Sequence, residues 1–197
     1  PTFGWGFFIK IRIMDYYKNV DKISDFFVGV SYNQVTDYDK GAITEPITLS
    51  ELKAYCKISY STDDALLTSL ISAAREVCEN YSYLSFGQRD MAAWINNYNG
   101  GTYLPFGPVT EVVSVFNLDG AEVDYKTSGS NFLQILYPKM PLKVVYTTGY
   151  ATIPEYMKTA VMAQALFMYE NRGDAQIDTK RGTSPIAQLI LNPFRRV

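Results

Sequence analysis

The stretch EPITLSELKAYCKISYSTDDALLTSLISAAREVCENY, residues 45–81, encodes two consecutive helices. The first begins at Thr48-Leu49-Ser50-Glu51, a capping-box pattern in which the threonine hydroxyl and the glutamate carboxylate accept free N–H groups of the first turn. The second begins at Asp63-Asp64, whose negative charges favour the positive end of a helix dipole. Each helix therefore has its own start signal, and the pair predicts a body of packed helices.

The second helix carries the strongest periodic pattern in the chain. Its apolar residues recur at intervals of three and four, which places on one face Leu66, Leu67, Leu70, Ile71, Ala74, Val77, Cys78 and Tyr81. A third helix is predicted from a second capping-box pattern, Thr152-Ile153-Pro154-Glu155, to Arg172-Gly173. Its residues 160–168 are almost entirely apolar, which predicts a helix buried between neighbours.

Between these helices the pattern changes to alternation of apolar and polar residues, which is typical of strands. The candidate strands are residues 89–95, 112–116, 121–125, 132–137 and 142–147. Asp119-Gly120 predicts a tight turn between the second and the third of them, with positive φ at both residues. The sequence therefore predicts an antiparallel β-domain inserted between helices.

The predicted fold class is α+β: a small helical bundle body with an inserted antiparallel β-domain and an extended C-terminal tail. The body comprises residues 46–86 and 149–172, and the β-domain comprises residues 87–148. Residues 1–45 are predicted to be an N-terminal arm or extra strands. Residues 173–197 are predicted to be a flexible linker and a C-terminal docking helix.

Both ends of the chain have distinctive patterns. Residues 7–13 alternate like a strand, which could add to the edge of a neighbouring sheet. Near the other end, Ser184-Pro185 begins a short helix that Asn192-Pro193 stops. This helix carries on one side Ile186, Leu189 and Ile190. A two-turn apolar helix is unstable alone in water, so a groove of its own subunit, a neighbour or another protein must cover it.

Composition points to a globular protein with extensive contacts. The chain is 47% hydrophobic and 19% charged, which excludes a disordered chain. Its 16 tyrosines fit either large interfaces or a β-rich core. Residues 172–197 carry five Lys/Arg and two acids, whereas the rest carries 13 and 18, so a basic tail follows an acidic body. That body lacks the clustered Lys/Arg that binding to nucleic acid needs.

Chemical motifs point away from an enzyme. The sequence has no histidine, which excludes Ser-His-Asp triads and His-ligated metals. The two cysteines, Cys56 and Cys78, are expected to be buried free thiols. No phosphate-cradling glycine motif is present. We therefore expect no catalytic residues, no cofactor and no metal; the open alternative is an enzyme or small-ligand-binding domain that uses the β-domain as a pocket.

Several motifs together carry a resemblance to a known family. In order they are TLSELK, DDALLTSLI, LPFGPVTEVVSVFNLDG, VVYTTGYATIP, KTAVMAQALFMYENRG and IAQLILNPFRRV. This order is similar to that of the head–tail connector (adaptor) proteins of tailed bacteriophages, in their long form with an inserted β-domain. The resemblance runs from residue 46 to residue 197, and residues 1–45 have no counterpart. Ser82-Tyr83-Leu84 departs from the small or basic turn expected after the long helix.

The resemblance implies a structural subunit of the virion neck, made in the host cytoplasm and without membrane contact. It implies a homo-oligomeric ring, expected to be a dodecamer, between the portal protein and the stopper or tail-completion proteins. This ring would complete the head after packaging and extend a channel through which double-stranded DNA passes without sequence-specific binding. Portal docking is expected from the terminal residues Ile186, Leu189, Ile190, Pro193, Phe194, Arg195 and Arg196.

Two alternatives to this reading stay open. The chain could be another neck component, such as a stopper or tail-completion protein, which would bind the adaptor instead of the portal. Alternatively, the terminal helix could fold back onto its own body and leave its arginines in solvent.

Overall fold

A computed structural model describes residues 34–96, 101–129, 133–136, 141–172 and 182–195. The strand predicted at residues 7–13, most of the predicted linker and Arg196 lie outside these ranges.

Four helices form the body of the described chain. They are α1 (Leu49–Cys56), α2 (Asp64–Ser82), α3 (Glu155–Glu170) and α4 (Pro185–Leu191), and a 3-10 turn (Asn192–Phe194) follows α4. Helix α3 contacts all three others and lies at the centre of the bundle. None of its residues from 156 to 169 is exposed, which confirms the prediction of a helix covered on all sides.

The start of α1 is the predicted capping box. The Glu51 N–H donates to the Thr48 hydroxyl at 3.2 Å, and the Thr48 N–H donates to the Glu51 carboxylate at 2.7 Å. Because these bonds favour the carboxylate, they lower the pKa of Glu51. The second predicted capping box is wrong. Helix α3 begins after its N-cap residue Pro154, which is extended and makes no side-chain capping bond, so Thr152 stands two positions before the N-cap position that a capping box needs.

The side chains of the two acids at the start of α2, Asp63 and Asp64, bind other helices and do not cap α2. Asp63 is the N-cap residue, but it makes no side-chain capping bond and accepts the Tyr169 hydroxyl of α3. The Asp64 carboxylate pairs with Lys53 Nζ at 2.6 Å, which joins α2 to α1. These carboxylates therefore tie helices together at one end of the bundle.

The β-domain consists of two antiparallel sheets. The strands are β1 (Gln34–Lys40), β2 (Arg89–Asn96), β3 (Gly101–Tyr103), β4 (Val109–Asn117), β5 (Lys126–Ser128), β6 (Gln134–Leu136) and β7 (Leu142–Thr148). The larger sheet has the order β1-β2-β7-β4, and the smaller has the order β3-β6-β5. A second hydrophobic core, separate from that of the bundle, includes Met91, Ile95, Leu104, Phe106, Val115, Ile135, Leu142, Val144 and Tyr146. The described residues therefore confirm the predicted α+β class.

Residues 34–40, within the segment expected to be an arm or extra strands, form an edge strand of the chain's own sheet. This strand, β1, pairs antiparallel with β2, from Gln34 opposite Asn96 to Lys40 opposite Met91. Lys40, at the end of this strand, contacts the helical body: its ammonium donates to the Asn80 side chain of α2 at 3.1 Å.

The strand predicted at residues 121–125 is wrong. Only Glu122 forms a bridge there, opposite Phe116. The turn before it has positive φ at Gly120 alone, because the Gly120 N–H donates to the Asn117 carbonyl and closes a three-residue hairpin loop. Three-residue hairpin loops usually combine a type I turn with a left-handed glycine, and Asp119 accordingly is not among the residues with positive φ.

Buried charges join the β-domain to the body. The fully buried Glu79 of α2 accepts Arg75 Nη1 at 2.9 Å, Arg89 Nη2 of β2 at 2.7 Å and the Phe86 N–H at 2.9 Å. Arg75 also donates from Nε to Glu45 at 2.9 Å. Since a buried charge without a partner is very costly, this network fixes β2 against α2.

A close backbone approach reinforces the same junction. Gly149 follows β7 with φ of +99°, and a Cβ there would lie 2.0 Å from the Gly87 carbonyl oxygen. Its N–H donates to the Pro108 carbonyl at 2.9 Å. Only glycine fits both the conformation and the space at this position.

Candidate docking surface of the C-terminal segment

A buried amide of α3 holds the start of the C-terminal segment, residues 182–195. Gln164 is fully buried, and its Nε2 donates to the Gly182 carbonyl at 3.1 Å. Its Oε1 accepts the Ser184 N–H at 2.6 Å. Both ends of one side chain therefore bind main-chain atoms of the segment. Sequence reasoning missed Gln164, although a single amide within the apolar run 160–168 was the available signal.

Helix α4 packs against the body along one face. Ala187 and Leu191 are fully buried in the bundle core, and the partly buried Ile190 packs against the same core. The opposite face is open: Ile186 is 54% exposed and Leu189 is 75% exposed. Helix α4 is therefore covered by its own subunit on one side only.

The end of the segment is held by aromatic contacts. The Phe194 ring stacks on Tyr156 of α3, with centroids 4.4 Å apart and an interplanar angle of 12°. The Arg195 guanidinium lies 4.8 Å from the centre of the Tyr81 ring, and the Tyr81 hydroxyl donates to Asn192. The segment is therefore attached at both ends, by Gln164 and by these aromatic rings.

This arrangement places most of the predicted docking residues on the exposed side of the segment and one of them against the body. Ile186, Leu189 and Pro193 are exposed and spaced by three and four residues, which puts them on one outer face; Phe194 is 40% exposed beside them. Ile190 faces the body instead. The segment lies against the body and does not extend from it, because Ala187, Ile190 and Leu191, which alternate with the exposed residues, pack in the bundle core. We call Ile186, Leu189, Pro193 and Phe194 the terminal strip.

The C-terminal segment that carries the terminal strip is almost uncharged, since Arg195 is its single charged residue. Burial, followed by the neighbouring Tyr156 on which Phe194 stacks, raises the pKa of Tyr150 to about 12. Arg195 is exposed at the end of the strip and is the cation nearest to it along the described segment. The surface is therefore suited to an apolar partner with carboxylates at its rim.

Other candidate sites in the described residues are weak. Cys56 and Cys78 are free thiols as expected, but only Cys78 is buried, whereas Cys56 is partly exposed; burial raises the pKa of Cys78 to about 12, which makes it inert. Within the described ranges, no group of three or more carboxylate or thiol side chains is placed to hold a metal. The same part of the chain contains no helix with the length and apolar character of a membrane span.

Described residues of the β-domain line a shallow groove. It measures about 230 Å³ and is lined by Val109, Thr110, Glu111, Val112, Tyr125, Thr127 and Leu133. Small-molecule sites are usually clefts of about 300–1,000 Å³ that bury most of the ligand. This groove is smaller and open, so it gives little support to the small-ligand alternative.

Comparison with solved structures shows a shared fold. A chain in the neck of an empty gene transfer agent particle, computed with C6 symmetry, superimposes with a TM-score of 0.66 at 18% identity, covering 82% of this chain and 96% of that chain. A chain in the virion of a native gene transfer agent particle gives a TM-score of 0.64 at 18% identity, with coverages of 81% and 95%. A chain in the neck of the native particle, computed with C12 symmetry, gives 0.63 at 16% identity, with coverages of 82% and 96%.

Comparison of sequences gives the family. No curated protein matches the chain. The model of one family, described as Head completion protein, matches residues 45–197, which include α1, α2, the β-domain from β2 onward, α3 and the C-terminal segment. This range agrees with the resemblance found in the sequence, which runs from residue 46. Because the match covers most of the chain, this protein belongs to the head completion protein family.

Proposed function

We propose that this chain is an adaptor subunit of the neck of a phage-like particle, which binds the portal and completes the head. Membership of the head completion protein family over residues 45–197 is the observation that carries the proposal. The shared fold with chains from gene transfer agent necks supports it. The subunit is made in the host cytoplasm and ends in the virion neck, where its role is structural and not enzymatic.

The terminal strip is the proposed contact with the portal. Leu189 is 75% exposed, although full burial of a leucine side chain is favourable by about 1.5–3 kcal/mol. A partner with an apolar groove would cover Leu189 and Ile186, and carboxylates at its rim would meet Arg195 and Arg196. Phe194 would add aromatic contact area from its stacked position on Tyr156.

The same subunit would assemble with copies of itself. The neck structures that share its fold were computed with sixfold and twelvefold symmetry, which agrees with a ring. We expect a ring of twelve subunits, with a stopper or tail-completion protein on the side away from the portal.

The charge of the β-domain fits a channel through which DNA passes. Four of the five charged side chains between residues 111 and 128 are acidic, and all five are exposed. Carboxylates repel phosphates, so this surface would not hold double-stranded DNA. We propose that DNA passes the ring without sequence-specific binding.

The test compares two exposed apolar residues. Leu189→Asp changes the terminal strip, and Val113→Asp, on a side chain that is 55% exposed in β4, is the matched control. Affinity for the isolated portal protein of the same genome is measured by biolayer interferometry, and complexes are viewed by negative-stain microscopy. We expect Leu189→Asp to weaken binding at least tenfold, because the lost burial of the leucine exceeds the ~1.4 kcal/mol that corresponds to a factor of ten. Val113→Asp should have little effect.

Other results would assign the chain differently. A wild-type chain that ignores the portal but binds an isolated adaptor ring would be a stopper or tail-completion protein. Equal binding by Leu189→Asp and wild type would remove the terminal strip from the portal interface.

A further inference from the structure

The structure assigns Gln164 a positioning role: it holds the C-terminal segment on the body as a preformed docking platform, so that the segment binds its partner without leaving the body. The partner is a protein surface with an apolar groove and an acidic rim, as above, and the inference rests on the proposed docking function. It differs from a tail that is released and becomes ordered on the portal.

The first support is the chemistry of the Gln164 contact. A buried amide is costly unless its donor and its acceptor are both satisfied, and here both are, by Gly182 and Ser184. These are main-chain atoms, so the contact fixes the path of the backbone just before α4. Gln188 adds one bond, from its Nε2 to the Thr183 carbonyl at 3.0 Å.

The second support is the length of α4. This helix has seven residues, and isolated helices shorter than about 12–15 residues are marginal in water. A released α4 would therefore lose its helical shape, and the partner would have to restore it. Holding the helix in place before binding removes that entropic cost.

The third support is the division of residues between the two faces of α4. Ala187 and Leu191 face the body, whereas Ile186 and Leu189 face outward. The segment can therefore contact the body and a partner at the same time. Release would instead expose Ala187, Leu191 and the aromatic rings of Tyr81 and Tyr156.

One test weakens the platform. Gln164→Leu keeps the size of the side chain but leaves the Gly182 carbonyl and the Ser184 N–H without their partner. Hydrogen exchange should become faster in residues 184–191 and stay unchanged in α2. Affinity for the portal should fall by the factor by which the docked fraction falls, about tenfold if the segment stays docked in only about a tenth of the molecules. Gln188→Leu, which removes one bond and leaves the Gln164 contact intact, is the control and should change both quantities less.

A second test fixes the platform covalently and does not depend on how well Gln164→Leu folds. In a Cys56→Ser background, Tyr81→Cys and Asn192→Cys are joined by a short bismaleimide, since these side chains touch in the native protein. The same double variant without crosslinker is the control. We expect the crosslinked protein to bind the portal within about twofold of that control, because the outer face of α4 remains free.

The outcomes separate this inference from the docking function itself. If Leu189→Asp abolishes binding and the crosslinked protein binds normally, both are supported. If Leu189→Asp abolishes binding and the crosslink does too, or if Gln164→Leu binds more tightly, the segment must leave the body and the platform is overturned, while docking stands. If Leu189→Asp binds normally, the docking function fails and the platform fails with it.

Discussion

The helical body has two attachments, and they differ in chemistry. The β-domain is attached through Glu79, a fully buried carboxylate between Arg75 and Arg89. The C-terminal segment is attached through Gln164, a neutral amide that binds main-chain atoms. A buried charge tolerates almost no displacement, because each lost partner leaves it uncompensated. A neutral amide that loses its partners costs less, so the second attachment is the easier one to open.

This difference suits the two parts to different tasks. The buried charges hold the β-domain in one orientation relative to the helices, which the proposed ring subunit would require. The segment would present the proposed contact surface, for which its attachment needs only to hold α4 on the body. Three predictions test this comparison, and a fourth, at a helix cap away from both attachments, gives the smallest effect against which they are measured.

The largest effect is expected at the charged attachment. Glu79→Ala leaves two buried guanidinium groups without their common partner, which should reduce the free energy of unfolding by about 3–5 kcal/mol. Urea unfolding followed by circular dichroism measures it. Glu76→Ala is the control, because the Glu76 side chain is 63% exposed and 3.7 Å from Arg75, and should cost less than about 0.5 kcal/mol. Similar losses for both variants would contradict the structural role of Glu79.

A backbone test of the same junction comes next. Gly149→Ala combines a positive φ, which costs a non-glycine residue about 1–2 kcal/mol, with overpacking against Gly87, which costs about 1–3 kcal/mol more. Gly120 also has a positive φ, +79°, but open space around it, so Gly120→Ala should lose only the stability that the positive φ costs an alanine. The difference between the melting temperatures of the two variants measures the cost of overpacking against Gly87. Equal losses would show that the chain relaxes around the added methyl group.

The neutral attachment should be less sensitive. Gln164→Leu leaves one donor and one acceptor unsatisfied but introduces no charge, so we expect a loss of about 1–3 kcal/mol in the free energy of unfolding. Measured in the same urea series, a loss as large as that of Glu79→Ala would remove the contrast between the two attachments.

The smallest effect is expected at the N-cap of α1, away from both attachments. The Thr48 N–H and hydroxyl lower the pKa of Glu51, so the stabilisation is present above the pKa of the unfolded carboxyl and is lost as the pH falls through the lower folded value. Glu51→Ala should cost about 0.5 kcal/mol at pH 7 and progressively less in acid. Glu155→Ala, in the first turn of α3 where the N-cap makes no side-chain bond, is the control and should cost less. A pH-independent loss for Glu51→Ala would contradict the capping role of its charge.

Much of the candidate surface was visible in the sequence, but its orientation was not. The spacing of Ile186, Leu189 and Ile190 predicts an apolar helix, and the structure has one at residues 185–191. Which of these residues faces the body depends on the packing of Ala187 and Leu191 against α3. Periodicity alone places three apolar residues on one side and cannot tell that Ile190 turns inward.

The turn after α2 shows a similar limit. Tyr83 ends this helix in a left-handed conformation with φ of 57°, where glycine is usual. Its ring lies 6.3 Å from that of Phe106, which also has a positive φ. Contacts between residues far apart in the chain hold this conformation, so local preference gave no signal for it.

Local patterns were sufficient for α1, α2 and the alternation of the long strands, because a capping box, a 3.6-residue period and a two-residue period are properties of neighbouring residues. They were sufficient for the family as well, because the order of its motifs lies in the chain itself. The short strands, the start of α3, the partners of Glu79 and Gln164, and the inward face of α4 depend on residues that meet only when the chain is folded. Buried polar groups must find partners wherever the fold brings them, and that requirement is satisfied in three dimensions.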